Sequence, residues 1–384
     1  MPDSLYFYSV QILTPTRILE KSSVLIREGR IDSIGPEEAT ARQLGARQVN
    51  GAGLTLAPGF MDLQINGAFG EDFTETPESI WRVGSQLGRY GVTAFLPTII
   101  SSPPEAVAAA QAVIQKGPPP GYRGAKPLGL HMEGPFLNPE KRGAHNPACL
   151  RDPSMKMVEG WSPQAGVRMV TLAPELPGAL EVIQALASRG VVVSAGHSMA
   201  TYEQAREGFE AGIKSGTHLF NAMPPLGHRK PGLAGALLED ERLEVGMIVD
   251  GIHVHPAMVK LAFRAKGAKG FYLVSDAMAA LGMPPGAYRL GDFDIQVDER
   301  AARLANGTLA GSLLSPEQAL INLMDFAGCS LAEALPCLTT TPATLIGERR
   351  KGAIAPGYDA DLVLLKASGG VAASLAAGEF IYEK

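Results

Sequence analysis

Five ionisable side chains stand where apolar stretches of the sequence give way to polar residues. They are Glu133, His197, His218, His253 and Asp276. A strand end gains no stability from a charge, and burying a charge is costly unless it is paired or bound to a metal. Five such residues at the ends of the third, fifth, sixth, seventh and eighth apolar runs therefore indicate chemistry rather than packing.

Three of these residues have the ligand types of a catalytic metal site. Glu133, His197 and His218 offer one carboxylate and two imidazoles, which leaves a position open for water. We expect a divalent ion here, with Zn²⁺ as the first choice, although nitrogen and oxygen ligands also suit Fe²⁺, Co²⁺ and Mn²⁺. Asp276 is the expected general base. It remains open as a further ligand or as a residue that orients a histidine.

The elements that would position these residues alternate along the middle of the chain. Eight apolar, strand-like runs are separated by helical patterns, which is typical of parallel strands covered by helices. This predicts an α/β protein with a (β/α)₈ TIM-type barrel, in which the carboxyl ends of all strands meet at one face. An open doubly wound sheet is the rival, but no GxGxxG opens a helix after the first run. The runs are 54–67, 91–100, 127–136, 167–175, 191–198, 215–223, 244–254 and 270–278.

Both ends of the chain read as short strands instead. We predict a small β-sandwich domain formed by both termini, residues 1–55 plus 350–384, beside a barrel domain at 56–349. Two independent terminal hairpins are the alternative. A long insertion near 277–314 follows the eighth run and resembles a hairpin. Long loops at that face of a barrel usually serve the site.

Composition excludes several classes of protein. The 384 residues are 46% hydrophobic and carry a net charge of −5, which fits a globular protein and offers no basic face for nucleic acid. Three cysteines without CxxC spacing argue against a disulfide framework and a thiolate metal site. The first residues lack the pattern of a signal peptide, and no apolar run approaches the ~18 residues of a membrane span. A cytoplasmic location is expected.

Motifs spread over nearly the whole chain carry a family resemblance. They are PGFMDLQING, HMEGPF, AGHS, GTHLFNAMPP, DGIHV, VSDAM, GTLAGS and PGYDADLV. Together they closely resemble the N-acetylglucosamine-6-phosphate deacetylase family of the amidohydrolase superfamily. HMEGPF and GTHLFNAM are its most specific parts. The resemblance implies metal-dependent hydrolysis of the acetamide of N-acetyl-D-glucosamine 6-phosphate, which yields D-glucosamine 6-phosphate and acetate in amino-sugar metabolism.

One departure from the superfamily bears on the metal count. Many members carry His-x-His at the end of the first strand and bind two metals, whereas this chain has Gln64 and Asn66 there. Neutral amides are poor ligands for a second transition metal. The fourth run, 167–175, also lacks the lysine that bridges two metals in some members. The resemblance therefore implies a mononuclear site.

The resemblance also implies substrate contacts. His145 matches the histidine that polarises the acetamide carbonyl, and Arg229 and His253 match cationic contacts to the phosphate. In the family this arginine comes from the neighbouring subunit, which implies a homodimer. The remaining matches to sugar-binding positions are Ala144, Asn221, Ala222, Leu309, Ala310 and Gly311.

Three other functions remain open at this point. The first is the same reaction on N-acetylgalactosamine 6-phosphate, because sequence distinguishes the orientation of a sugar hydroxyl poorly. The second is another N-acyl amidohydrolase, such as an N-acyl-amino-acid deacylase, which would have no need for Arg229 and His253. The third is a barrel without activity that serves as a binding or scaffold protein.

Overall fold

The fold is described from a computed structural model, which covers residues 4–14, 17–36 and 45–384. The strands are β1 (Ser4–Leu13), β2 (Ile18–Arg27), β3 (Arg30–Pro36), β4 (Arg47–Asn50), β5 (Thr55–Pro58), β6 (Phe60–Ile65), β7 (Gly67–Ala68), β8 (Glu71–Asp72), β9 (Val92–Ile100), β10 (Lys126–Pro127), β11 (Leu130–Glu133), β12 (Val167–Leu172), β13 (Val192–Ala195), β14 (Ile213–Gly216), β15 (Glu244–Met247), β16 (Phe271–Leu273), β17 (Gly286–Leu290), β18 (Phe293–Val297), β19 (Ala302–Arg303), β20 (Leu362–Leu365), β21 (Val371–Ala376) and β22 (Glu379–Glu383). The helices are α1 (Ser79–Leu87), α2 (Pro104–Lys116), α3 (Ala179–Ser188), α4 (Tyr202–Ala211), α5 (Gly232–Glu239), α6 (Pro256–Lys266), α7 (Pro316–Ala327), α8 (Leu331–Ala334) and α9 (Thr340–Leu345).

The predicted (β/α)₈ barrel is confirmed. Its parallel strands pair in the order β6, β9, β11, β12, β13, β14, β15 and β16. Each overlaps one of the eight apolar runs, and β14 begins two residues before its run. Hydrogen bonds close the ring between the last strand and the first. The backbone N–H of Asp276 donates to the carbonyl of Gln64 at 2.9 Å, and Oδ1 of the buried Asp62 accepts from the N–H of Ser275 at 3.2 Å. The carboxyl ends of all eight strands therefore share one face.

Continuous apolar strands fit this architecture because both of their faces are covered. Every residue of β9 is buried, as expected for a strand between a barrel interior and outer helices. Among the outer helices, α4 begins with a capping box in which Thr201 and Gln204 satisfy each other's backbone N–H groups. No helix in the described ranges is long and apolar enough to cross a membrane.

Strands from both ends of the chain form one further sheet. Its order is β22, β21, β20, β5, β1, β2 and β3, with β4 also paired to β1. Phe7, Val24 and Leu362 lie in one buried apolar cluster of this sheet, whereas the alternate residue Val363 belongs to the cluster of the barrel. Successive residues of β20 face opposite sides of the sheet, so one face packs in the cluster of this sheet and the other packs against the barrel. The division into domains at 1–55 plus 350–384 and 56–349 stays a prediction.

The segment after the eighth strand forms the expected hairpin. β17 and β18 pair antiparallel through a two-residue connection at Gly291 and Asp292, and β19 adds a third strand. Leu290 at the end of β17 and Ile100 at the end of β9 belong to one buried apolar cluster. The insertion therefore lies beside the carboxyl end of the barrel.

Candidate active site

A cavity of about 740 Å³ lies at the carboxyl ends of the barrel strands. Active sites of (β/α)₈ enzymes occupy this position. Most of the residues that the sequence predicts for the site line this cavity, and they come from distant parts of the chain. They are Asn66, Glu133, Ala144, His145, His197, His218, Asn221, Ala222, His253, Asp276, Leu309 and Gly311.

Three of these side chains converge on one point. Oε1 of Glu133 lies 3.1 Å from Nε2 of His197 and 3.1 Å from Nε2 of His218, and the two nitrogens are 3.0 Å apart. All three residues are buried. Ligands at 2.0–2.1 Å from a tetrahedral ion lie about 3.3 Å from one another. The cluster therefore has the size and the ligand set of a site for one divalent metal ion.

The tautomer of His197 supports this interpretation. Its Nδ1 lies 2.7 Å from the carbonyl of Lys141, which can only accept, so Nδ1 carries a proton and the lone pair of a neutral ring would be on Nε2. That lone pair faces a carboxylate oxygen of Glu133. A lone pair 3.1 Å from a carboxylate oxygen is repelled by it unless a metal ion or a second ring proton lies between them. The second nitrogen of a metal-binding histidine usually donates in this way.

The backbone at three site residues is strained. The φ angles are 49° at His197, 31° at His218 and 47° at Asp276, in a region that non-glycine residues rarely adopt. Such conformations cost of the order of 1–3 kcal/mol each and concentrate at functional sites. Here the strain occurs where each strand gives way to the loop that follows, and it accompanies side chains that face the cavity.

Amides from the first strand hold Asp276. Its Oδ1 accepts from Nδ2 of Asn66 at 2.8 Å and from Nε2 of Gln64 at 3.2 Å, and the same Gln64 nitrogen donates to Glu133 at 3.1 Å. Burial and the nearby Glu133 carboxylate raise the pKa of Asp276 to about 6. The two amides thus occupy the expected position of a second metal's ligands and act as donors to the carboxylates.

His145 is buried beside the metal cluster in one defined tautomer. Its ring centroid lies 4.6 Å from that of His197, and its Nδ1 accepts from the backbone N–H of Ser101 at 3.2 Å. Burial and the proximity of His197 lower the pKa of His145 to about 3. The ring is therefore neutral, with its proton on Nε2, where it can donate to a substrate oxygen.

Comparison with known proteins connects this geometry to a family. Residues 55–380 match the model of the Amidohydrolase family. The human N-acetylglucosamine-6-phosphate deacetylase is 39% identical, over 99% of this chain and 96% of its own length. The chain belongs to the N-acetylglucosamine-6-phosphate deacetylase family. The enzyme of that name from Lysinibacillus sphaericus is 35% identical over 94% of both chains.

Solved structures of this deacetylase family share the fold. The enzyme from Pasteurella multocida superposes with a TM-score of 0.92 at 30% identity, covering 98% of this chain and 99% of its own. An aspartate-to-alanine mutant from Mycobacterium smegmatis was solved in complex with N-acetyl-D-glucosamine-6-phosphate. It superposes with a TM-score of 0.91 at 34% identity, covering 99% of each chain.

Across the cavity of this deacetylase-family chain, His253 is held by a carboxylate. Its Nδ1 lies 2.6 Å from Oδ2 of Asp250, and only 7% of the histidine side chain is exposed. Burial raises the pKa of Asp250, but the hydrogen bond and the charge of His253 outweigh it, and the pKa lies below its ordinary value. Nε2 of His253 is left for a ligand.

Three residues predicted for the site do not line the cavity. Gln64 lies behind Glu133 and Asp276, and Ala310 is buried in an apolar cluster of the insertion. Arg229 is exposed outside the cavity of its own chain.

Other residues line the cavity without having been predicted. Arg142 lies on the loop that carries His145, and Arg303 on the insertion. Ile100 and Leu290 form an apolar part of the cavity wall. Residue type gives no signal for a loop arginine or for an apolar residue such as Ile100. The position of Ile100 at a strand end, which is also the position of Glu133, is the one signal that could have identified it.

Proposed function

We propose that this chain hydrolyses the acetamide of N-acetyl-D-glucosamine 6-phosphate to D-glucosamine 6-phosphate and acetate. The observation that carries the proposal is the convergence of Glu133, His197 and His218 on one point, with Asp276 lining the same cavity. The complex of a full-length relative with that sugar phosphate supports the choice of substrate.

Glu133, His197 and His218 would hold one divalent ion, which we propose to be Zn²⁺. When bound, the ion supplies Lewis-acid polarisation of the carbonyl and makes a water molecule acidic near neutral pH. Gln64 and Asn66 use their amide nitrogens to donate hydrogen bonds to carboxylates. Their neutral amide oxygens are poor ligands for a second transition-metal ion. A single ion per subunit follows.

The chain's own residues move the protons. Asp276 accepts a proton from the attacking water, and Gln64 and Asn66 hold its carboxylate in place for that purpose. Nε2–H of His145 donates to the carbonyl oxygen as negative charge develops there, a contribution that can be worth about 3–4 kcal/mol. Asp276 then returns the proton to the amine nitrogen as the C–N bond breaks.

The sugar phosphate would bind on the side of the cavity that holds His253. Nε2 of His253, oriented by Asp250, contacts the phosphate, and the segment of Asn221 and Ala222 contacts it through amides. Ala144 and the segment of Leu309, Ala310 and Gly311 border the sugar.

Arg229 would reach the phosphate from a neighbouring copy. Its exposure outside the cavity of its own chain supports this placement and a homodimer. Complementation tests it. Mixed and refolded Arg229→Ala and Asp276→Asn chains should regain activity, because one site of each mixed dimer has Asp276 in place and receives Arg229. No recovery would contradict the shared site.

We also propose a cytoplasmic location, which cell fractionation checks.

Substrate comparison tests the proposed reaction. Acetate release should have a higher kcat/KM with N-acetylglucosamine 6-phosphate than with N-acetylgalactosamine 6-phosphate or N-acetyl amino acids. Asp276→Asn should abolish turnover and leave the metal bound. Near-normal kcat in Asp276→Asn would contradict the assignment of the base, and a preference for either other substrate would contradict the proposed activity.

A further inference from the structure

An apolar wall adjoins the metal cluster. We propose that Ile100 and Leu290 form an acyl pocket that limits the substrate's acyl group to acetyl. This inference rests on the proposed function, since it concerns the group that the reaction removes. Both side chains are almost fully buried, at 5% and 3% exposure, and both line the cavity that contains Glu133 and His145.

The register of the barrel places Ile100 beside the metal cluster. In the pairing of β9 with β11, Ile100 is the partner of Glu133. Partners in a parallel ladder project to the same side of the sheet, so the Ile100 side chain adjoins the Glu133 carboxylate. The next residue, Ser101, donates its backbone N–H to His145. Ile100 is therefore the neighbour of the metal ligand in the sheet, and the residue that follows it in the chain holds the proposed donor to the acyl oxygen.

Leu290 completes the wall from the insertion. It ends β17 and belongs to the same apolar cluster as Ile100, against which Ala144 also packs. Its neighbour Gly291 adjoins Ile100 closely, since a Cβ on Gly291 would be 3.0 Å from Cδ1 of Ile100. The insertion thus packs against the Ile100 side chain.

The chemistry of the substrate decides which group meets this wall. The acyl carbon carries an oxygen, a nitrogen and a methyl group in one plane. The oxygen turns towards the metal cluster and His145, and the nitrogen leads to the sugar and its phosphate on the side of His253. The methyl group is left, and it is the one apolar substituent. Ile100 is the register partner of Glu133, and Leu290 lies in the same apolar cluster as Ile100 and lines the same cavity.

A second cavity behind Ile100 strengthens the inference. It has a volume of about 140 Å³ and is bordered by Ile100, Ser102, Asn146 and Gly291. Because Ile100 borders this cavity and the main one, its side chain separates them. Truncation of Ile100 would join the two spaces and give a longer acyl chain room to extend.

The experiment compares N-acetyl-, N-propionyl- and N-butyryl-glucosamine 6-phosphate as substrates. For the unaltered protein, kcat/KM should fall by about 10–200-fold per added methylene. In Ile100→Ala and, independently, in Leu290→Ala, the butyryl-to-acetyl ratio of kcat/KM should rise at least about tenfold. Leu290 is outside the barrel strands, so its variant serves if Ile100→Ala fails to fold. Bound metal is measured in each variant.

Ile248→Ala is the matched control. Ile248 is an equally buried isoleucine of the same cavity, but it follows β15, on the side of His253. Its ratio should stay within twofold of the unaltered protein. A folded, metal-loaded Ile100→Ala or Leu290→Ala with an unchanged ratio would overturn the acyl pocket, as would an equal shift in Ile248→Ala. If the unaltered protein cleaves none of the three substrates, the proposed function itself has failed.

Discussion

The backbone N–H of Ser101 donates to Nδ1 of His145 at 3.2 Å, and this contact decides which nitrogen of the ring carries the proton. A backbone N–H cannot accept, so Nδ1 must hold the lone pair. The neutral ring then presents Nε2–H as a donor, next to a cluster suited to a cation. The end of strand β9 thereby sets the chemical form of a side chain 44 residues further along the chain.

We predict that His145→Ala lowers kcat by about 10²- to 10³-fold, the usual cost of losing one donor to a developing oxyanion. Bound metal should stay unchanged, because His145 is not a ligand. Steady-state kinetics and metal analysis check this. His255→Ala is the matched control, since Nδ1 of His255 also accepts a backbone N–H, at 3.1 Å, but on an exposed helix start. A loss of kcat in both variants would contradict the specific role of His145.

Asp250 should act on substrate binding through His253. In Asp250→Asn the imidazole loses the negative partner that holds its Nδ1 at 2.6 Å, so the ring is oriented less firmly towards the phosphate. We expect KM for the phosphorylated sugar to rise about tenfold while kcat changes little. Unphosphorylated N-acetylglucosamine should show no such rise. Asp325→Asn, at an exposed site on α7, is the control. A fall in kcat with unchanged KM would contradict the proposed phosphate contact.

Asp62 should make the stability of the fold depend on pH. Burial raises the pKa of Asp62 from 3.8 to about 7. The unfolded chain therefore loses this proton at lower pH than the folded one. The contribution of Asp62 to stability is complete below pH 3.8 and is lost as pH rises through 7. Between pH 5.5 and 8.5 this amounts to about 2 kcal/mol.

The neutral variant Asp62→Asn keeps an oxygen that can accept from Gln64 and Ser275. Its free energy of unfolding should therefore lack this decline, which denaturant titrations at the two pH values measure. Asp294→Asn, whose side chain is 84% exposed, should decline as the unaltered protein does. Equal slopes in all three proteins would show that Asp62 does not titrate as its burial implies.

The barrel could be predicted from sequence because its strands are buried on both faces. Such strands read as unbroken apolar runs, and the polar residue that ends each run marks the shared face of the sheet. Glu133, His197 and His218 are found in this way without knowledge of any loop. Asp276 is found by the same rule, although its φ of 47° could not be predicted from the sequence.

Contacts made by loops could not be predicted, because they depend on a backbone path rather than on residue type. The carbonyl of Lys141 that accepts from His197 is an example, since every residue offers a carbonyl. Ile100 and Leu290 are another, because an apolar residue gives no sign that it faces a cavity. The position of Arg229 outside the cavity likewise depends on the path of its loop.

The central claim is that Glu133, His197 and His218 bind the ion on which hydrolysis depends. The direct measurement is acetate release from N-acetylglucosamine 6-phosphate by the same preparation before chelation, after chelation and after single divalent ions are restored. We predict that activity and one bound ion per chain are lost and regained together, with His197→Ala failing to regain either. Full activity in the metal-free protein, or an ion that binds equally well to His197→Ala, would contradict the account.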